Sequence, residues 1–179
     1  TAAAVAGAAT AIGALTTKAI EGYAAQEQLV GGVETLFKTS SDTVVGYAND
    51  AYKTAGMSAN EYMETVTSFS ASLLASMNND TAAAAEKANV AITDMSDNAN
   101  KMGTDISLIQ NAYNGFAKQN YTMLDNLKLG YGGTKEEMQR LLDDASKLSG
   151  IKYDISSYSD VVDTIHVVQT EMGITGTTA

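Results

Sequence analysis

The chain has 179 residues, carries a formal charge of −10 and contains no proline, cysteine or tryptophan. Without cysteine there is no disulfide framework and no thiolate chemistry. The acidic balance, with basic residues scattered singly, argues against a surface that neutralises phosphates, so no direct nucleic-acid binding is expected. The absence of proline leaves long helices uninterrupted. Alanine supplies much of the apolar content and each buried alanine contributes little, which predicts a thin core of modest stability. The start on Thr1 and the stop within a Thr-rich run are what a fragment of a longer chain would show.

Residues 2–15 are almost entirely Ala, Val, Gly, Ile and Leu. A membrane span needs about twenty apolar residues, and Thr16, Thr17 and Lys18 interrupt this run first. Packing against other copies or against the parent chain is the favoured expectation for 2–15, with membrane contact as the alternative. The pattern continues through Ile20, Tyr23, Leu29, Val33, Leu36 and Phe37, giving a long Ala/Gly-rich helix over 1–38 with a soft joint at Gly31-Gly32. Ser40-Ser41-Asp42 starts the next helix, whose stripe is Val44, Ala48, Ala51, Tyr52 and Ala55, ended by Gly56. Ser58 with Glu61 three residues on is a capping box, followed by Tyr62, Val66, Phe69, Leu73 and Met77, with Met63 and Leu74 broadening the face. Asn78-Asn79-Asp80 forms a turn in which Asp80 is the cap.

From Thr81 to Lys101 the sequence is Ala-rich, and Ala88, Ile92, Met95, Ala99 and Met102 predict a real but shallow apolar face. Such a face suggests a bundle that opens without losing its helices. Gly103 stops this helix, and Thr104 or Asp105 starts another carrying Ile106, Ile109, Tyr113 and Phe116, with Gly115 as a weak point of up to about 1 kcal/mol. Tyr121, Leu124 and Leu127 suggest a further short turn. Gly130-Tyr131-Gly132-Gly133 is a loop, after which Thr134 and Glu137 form a second capping box and Met138, Leu141, Leu142, Ala145 and Leu148 line one stripe up to Gly150. Ile151, Tyr153 and Ile155 alternate with polar residues and read as an extended connector tucked against helices. Ser157 or Ser159 starts the last helix, with Val161, Val162, Ile165, Val168 and Met172 as its stripe and Gly173 as its end. The chain is therefore expected to be all-α: several short amphipathic helices in a bundle over 39–175, following the arm 1–38, with a frayed tail over 176–179 that begins to loosen at Ile174.

The segment 130–150, GYGGTKEEMQRLLDDASKLSG, resembles one that recurs in tail tape measure proteins of long-tailed bacteriophages and prophages. Ala55-Gly56-Met57-Ser58-Ala59-Asn60-Glu61-Tyr62 and the Ser-rich stretch 68–77 resemble another part of the same region, and the likeness covers about residues 20–173. It implies a structural and assembly protein that sets tail tube length and takes part in DNA delivery. Its place would be the tail tube lumen of the virion, and the host cytoplasm during assembly. Tail tube, tail tip and tail assembly chaperone proteins would be its partners. Short helices cut by glycine turns are unlike a continuous rod, so this region is expected to fold compactly while another region acts as ruler. The alternative from another class is a helical protein–protein interaction module of a secreted or surface adaptor, although Gly31-Gly32 breaks the heptad that it would need.

No residue set points to catalysis, and no catalytic, cofactor-binding or metal-binding residue is assigned. His166 is the only histidine, with Asp163 three residues before it, and reads as a hydrogen-bonded structural residue because a zinc site needs several converging ligands. Glu136-Glu137, Asp143-Asp144 and Asp160/Asp163 read as solvated faces and caps, since helix neighbours point about 100° apart. Asp94, Asp97 and Asn98 have the composition of a calcium loop without its glycine and closing glutamate. Lys135 follows Thr134, the wrong order for a phosphate loop, and Ser68, Ser70, Ser72 and Ser76 have no neighbouring histidine or nucleophile elbow.

Overall fold

Small side chains let neighbours approach a helix from nearly every side, and helix α4 (Thr81–Met102) is built from them. In the computed structural model, which describes residues 22–176, Ala84, Ala85, Ala88, Ala91 and Ile92 are buried, and so is every residue from Asp94 to Ala99. Helices α2 (Ser41–Thr54), α3 (Ala59–Ser76), α5 (Ile106–Ala117) and α7 (Tyr158–Glu171) all pack on α4, while α6 (Lys135–Ser149) packs on α7. Helix α1 runs through residues 22–37 and meets α2 through the 3-10 turn Lys38–Ser40. The face expected to be shallow on Ala88–Met102 is broader than that: α4 is the helix on which α2, α3, α5 and α7 pack, with Val90 among the positions left exposed. Alanine gives little burial per residue but permits close contact.

The architecture is all-α, with no strand among the described residues. One core joins Val33 and Phe37 of α1 to Ile174 beyond α7, so the end of the arm drawn at 1–38 contributes to the same core as the bundle. The helix continues through Gly31 and Gly32 without interruption. A Cβ on Gly32 would stand 3.6 Å from Thr67 Cγ2, in ordinary contact with α3. Residues 2–15 lie outside the described residues, and among those described no helix is long and apolar enough to cross a membrane.

The turns follow the sequence closely. Ser58 and Glu61 make the reciprocal capping box, Asn78 and Asn79 take left-handed angles of 54° and 58°, and Asp80 caps α4 through the Ala83 amide. Asp105 and Ser157 cap α5 and α7. Most stripe positions are buried or partly buried, with a few exceptions. Tyr52 is 81% exposed, and Leu148, Ile151 and Met172 also face solvent rather than the core. Tyr153 and Ile155 are half-buried, so the connector tucks in only partly. At Thr134 the expected box is incomplete: Thr134 Oγ1 accepts from the Glu137 amide, but the Glu137 carboxylate reaches past it to the Gly132 N–H.

Gly115 has a steric reason that its helix pattern conceals. A Cβ there would stand 3.0 Å from the Asn120 carbonyl oxygen, where the chain doubles back after α5. Gly133 is tighter still, with its Cβ position 2.2 Å from the Thr122 carbonyl oxygen.

Candidate functional site

Asp94, Asp97 and Asn98 stand at i, i+3 and i+4 on α4 and so share one face of it. That face meets α7, where His166 and Gln169 are likewise three residues apart. All of these except His166 are buried. Buried polar groups need partners, and the chain supplies them from its own end. After α7, Gly173 takes a left-handed φ of 68° and the chain turns back, with the Ile174 amide donating to the Gln169 carbonyl at 2.9 Å. Thr175 Oγ1 then donates to Asp94 Oδ1 at 3.0 Å, and the Gly176 amide donates to Asp97 Oδ2 at 2.7 Å. Ile174 is 2% exposed. The frayed tail expected from Ile174 is therefore corrected through Gly176: residues 174–176 are docked across α4. Residues 177–179 lie outside the described residues.

Two amides complete the network. Asn98 Nδ2 donates to Gln169 Oε1 at 2.8 Å and to the Leu127 carbonyl at 3.0 Å, tying in the 3-10 turn Leu124–Leu127. Gln169 Nε2 donates to the Asp94 carbonyl at 3.2 Å. Asn98 Oδ1 is left without a partner among the described residues.

His166 sits over this cluster with Nδ1 at 2.9 and 3.1 Å from the two Asp94 oxygens. Its side chain is 41% exposed, whereas that of Asp94 is 1% exposed. Burial pushes the Asp94 carboxyl above its ordinary range, opposed by the hydrogen bond from His166. That same hydrogen bond holds the imidazole above its ordinary 6.5, against partial burial. Asp163, the carboxylate nearest in sequence, instead pairs with Lys87 Nζ at 2.7 Å, and Lys87 also donates to Ser159 Oγ at 2.7 Å.

An imidazole held at Nδ1 by a buried carboxylate is the arrangement that orients a general base or a metal ligand. Here the carboxylate's remaining bond leads to Thr175, and Ser159 is engaged by Lys87. Among the described residues no group of three or more histidine or acidic side chains is arranged to hold a metal. The dyad's demonstrated bonds join α4, α7 and the docked segment. Sequence reasoning set Asp94, Asp97 and Asn98 aside as an imperfect calcium loop. They escaped because the same stretch also carries Asn89, Thr93, Ser96 and Asn100, so no local pattern singles them out.

The glycine loop closes on its own helix. Arg140 donates to the Gly130 carbonyl at 2.8 Å, pairs with Glu137 at 2.6 Å and lies 4.3 Å over the Tyr131 ring, whose hydroxyl donates to Asp144 at 2.6 Å. Hydrogen bonds from Arg140 and from the Gly132 amide hold Glu137 down to about 2, and burial with the Asp144 contact pushes Tyr131 up to about 12. Ser68, Ser70 and Ser76 donate to carbonyls of their own helix. Comparison with protein-family models, with curated proteins and with solved structures gives no match.

Proposed function

We propose that this chain is part of a tail tape measure protein of a long-tailed bacteriophage or prophage, with a structural and assembly role rather than an enzymatic one. The resemblance of the segment 130–150, with 55–62 and 68–77, carries this function. In this fold the same segments have local structural roles. Gly133 stands where a Cβ would strike the Thr122 carbonyl, Ser58 and Glu61 form the capping box, and Tyr131 with Arg140 locks the loop.

A ruler converts residues into length at about 1.5 Å per helical residue only while the helix continues in one direction. In this region turns cut the chain into helices that pack on one another, so it serves as a folded station beside the ruler. It lies in the tail tube lumen of the virion, and its partners are the tube, tip and assembly chaperone proteins. Mass spectrometry of purified particles tests the function: the parent chain is expected in the virion, and its absence overturns the reading. Electron microscopy of tails carrying an in-frame deletion of 41–176 tests the station. A continuous helix of that length would account for about 200 Å of tail, and the expected shortening is less than a quarter of it.

A further inference from the structure

A groove of about 640 Å³ runs between α3, the end of α4 and α5, within the range of ligand-binding clefts. Apolar groups of Met57, Ala99 and Ile106 share its walls with hydroxyls and side-chain amides, those of Thr65 and Ser68 on α3, Asn100 on α4, and Gln110, Asn111 and Asn114 on α5. Two bonds cross it, Gln110 Nε2 to Thr65 Oγ1 at 3.0 Å and Ser68 Oγ to Asn114 Oδ1 at 3.1 Å. These leave Gln110 Oε1, Asn114 Nδ2 and the whole amides of Asn100 and Asn111 unused among the described residues. Thr104, at the link between α4 and α5, lines the same groove, with its hydroxyl oxygen turned away from solvent and without a partner among the described residues.

We infer that this groove binds an extended, lysine- or arginine-bearing peptide segment of a partner protein. A side-chain amide carries the same donor and acceptor as a peptide unit, so it can pair with both. Asn111 and Asn114 are three apart on one helix, about 5–6 Å between Cβ atoms. Alternate residues of an extended chain are spaced at about 6.6 Å, so the two amides match every second peptide unit. Charge selects the side chains. Glu61 and Glu64 line the groove, Glu61 is kept ionised by the Ser58 backbone and hydroxyl, and no lysine, arginine or histidine is among the described lining residues. Phosphate-bearing ligands are disfavoured by those carboxylates, and no aromatic ring lines the groove to stack a base or a sugar face. This site is independent of the tail assignment.

The test is a ¹⁵N NMR titration of the whole chain with acetyl-Thr-Lys-Val-Lys-Thr-amide. Saturable shifts are expected at the side-chain amides of Asn100, Gln110, Asn111 and Asn114. The paired variant Asn111→Ala with Asn114→Ala should weaken affinity about ten-fold or more, while Asn49→Ala, on the exposed side of α2, leaves it unchanged. Glu64→Gln, which keeps the side chain's shape, should weaken binding and flatten its salt dependence. The site is overturned if millimolar peptide leaves those amides unmoved. It is equally overturned if the Glu-substituted peptide binds as well, or if a trimer of N-acetylglucosamine shifts the same amides where the peptide does not.

Discussion

Ending the chain after Gly173 removes the segment docked on α4, and its cost can be worked from the contacts it makes. Ile174 is 2% exposed, and burying an isoleucine side chain is worth about 1.5–3 kcal/mol. Thr175 and Gly176 each donate to a buried carboxylate, at 3.0 and 2.7 Å, and hydrogen bonds to charged groups contribute about 1.5–3 kcal/mol apiece. Ordering three residues opposes this by about 1–2 kcal/mol each. The balance is a destabilisation of about 1.5–3 kcal/mol, or about 3–12 °C in Tm for a chain of this size. Urea unfolding followed by circular dichroism reads it, with Thr175→Val as a partial version that removes one bond and costs about 1–2 kcal/mol. A truncated chain within about 0.5 kcal/mol of the parent, the range of an ordinary surface change, refutes the reasoning. It would mean that water satisfies Asp94 and Asp97 as well as the chain does.

Gly133→Ala places a methyl 2.2 Å from the Thr122 carbonyl and must move backbone, so it should cost about 2–3 kcal/mol. Gly150→Ala meets open space at a φ of 74° and should cost about 1 kcal/mol; equal losses in the same melts would show that the steric account of Gly133 is wrong. Stability should decline from mildly acidic to alkaline pH. The imidazole of His166 has a raised pKa in the fold, so its contribution is complete below about 6.5 and is lost as pH rises through the folded value. Asp94 is raised as well, so its contribution has the same sign but is complete only below the ordinary carboxylate range and is lost as pH rises through its folded value. Glu61, Asp105, Glu137 and Asp154 are lowered, so their contributions are present above the ordinary carboxylate range and are lost on acidification. Thermal melts across pH should therefore peak between those limits, and His166→Gln should flatten the alkaline side; an unchanged slope would remove the dyad from the explanation.

The caps, the turns and the centre of each stripe were legible because they depend on residues close in sequence. Ser58 with Glu61, Asp80 with Ala83 and the left-handed glycines at 103, 150 and 173 needed no tertiary information. What escaped was set by distant partners. Alanine at 84, 88 and 91 reads as weak in a helical pattern, yet it lets the surrounding helices approach α4. Tyr52 lies on the expected stripe, but nothing among the described residues covers its position on α2. Gly115 and Gly133 look like flexibility, and the reason for each is a carbonyl several residues away. Asp94 and His166 are 72 residues apart, a separation that no local period can reveal. The all-α fold could be read from the sequence, but the polar cluster could not.

Small-angle X-ray scattering of the isolated chain tests the folded station most directly. A globular chain of this size has a radius of gyration of about 16 Å, and the account predicts a value below about 25 Å. A single continuous helix over the described residues would be about 230 Å long, with a radius of gyration above about 60 Å, and a rod-like profile of that kind would contradict it.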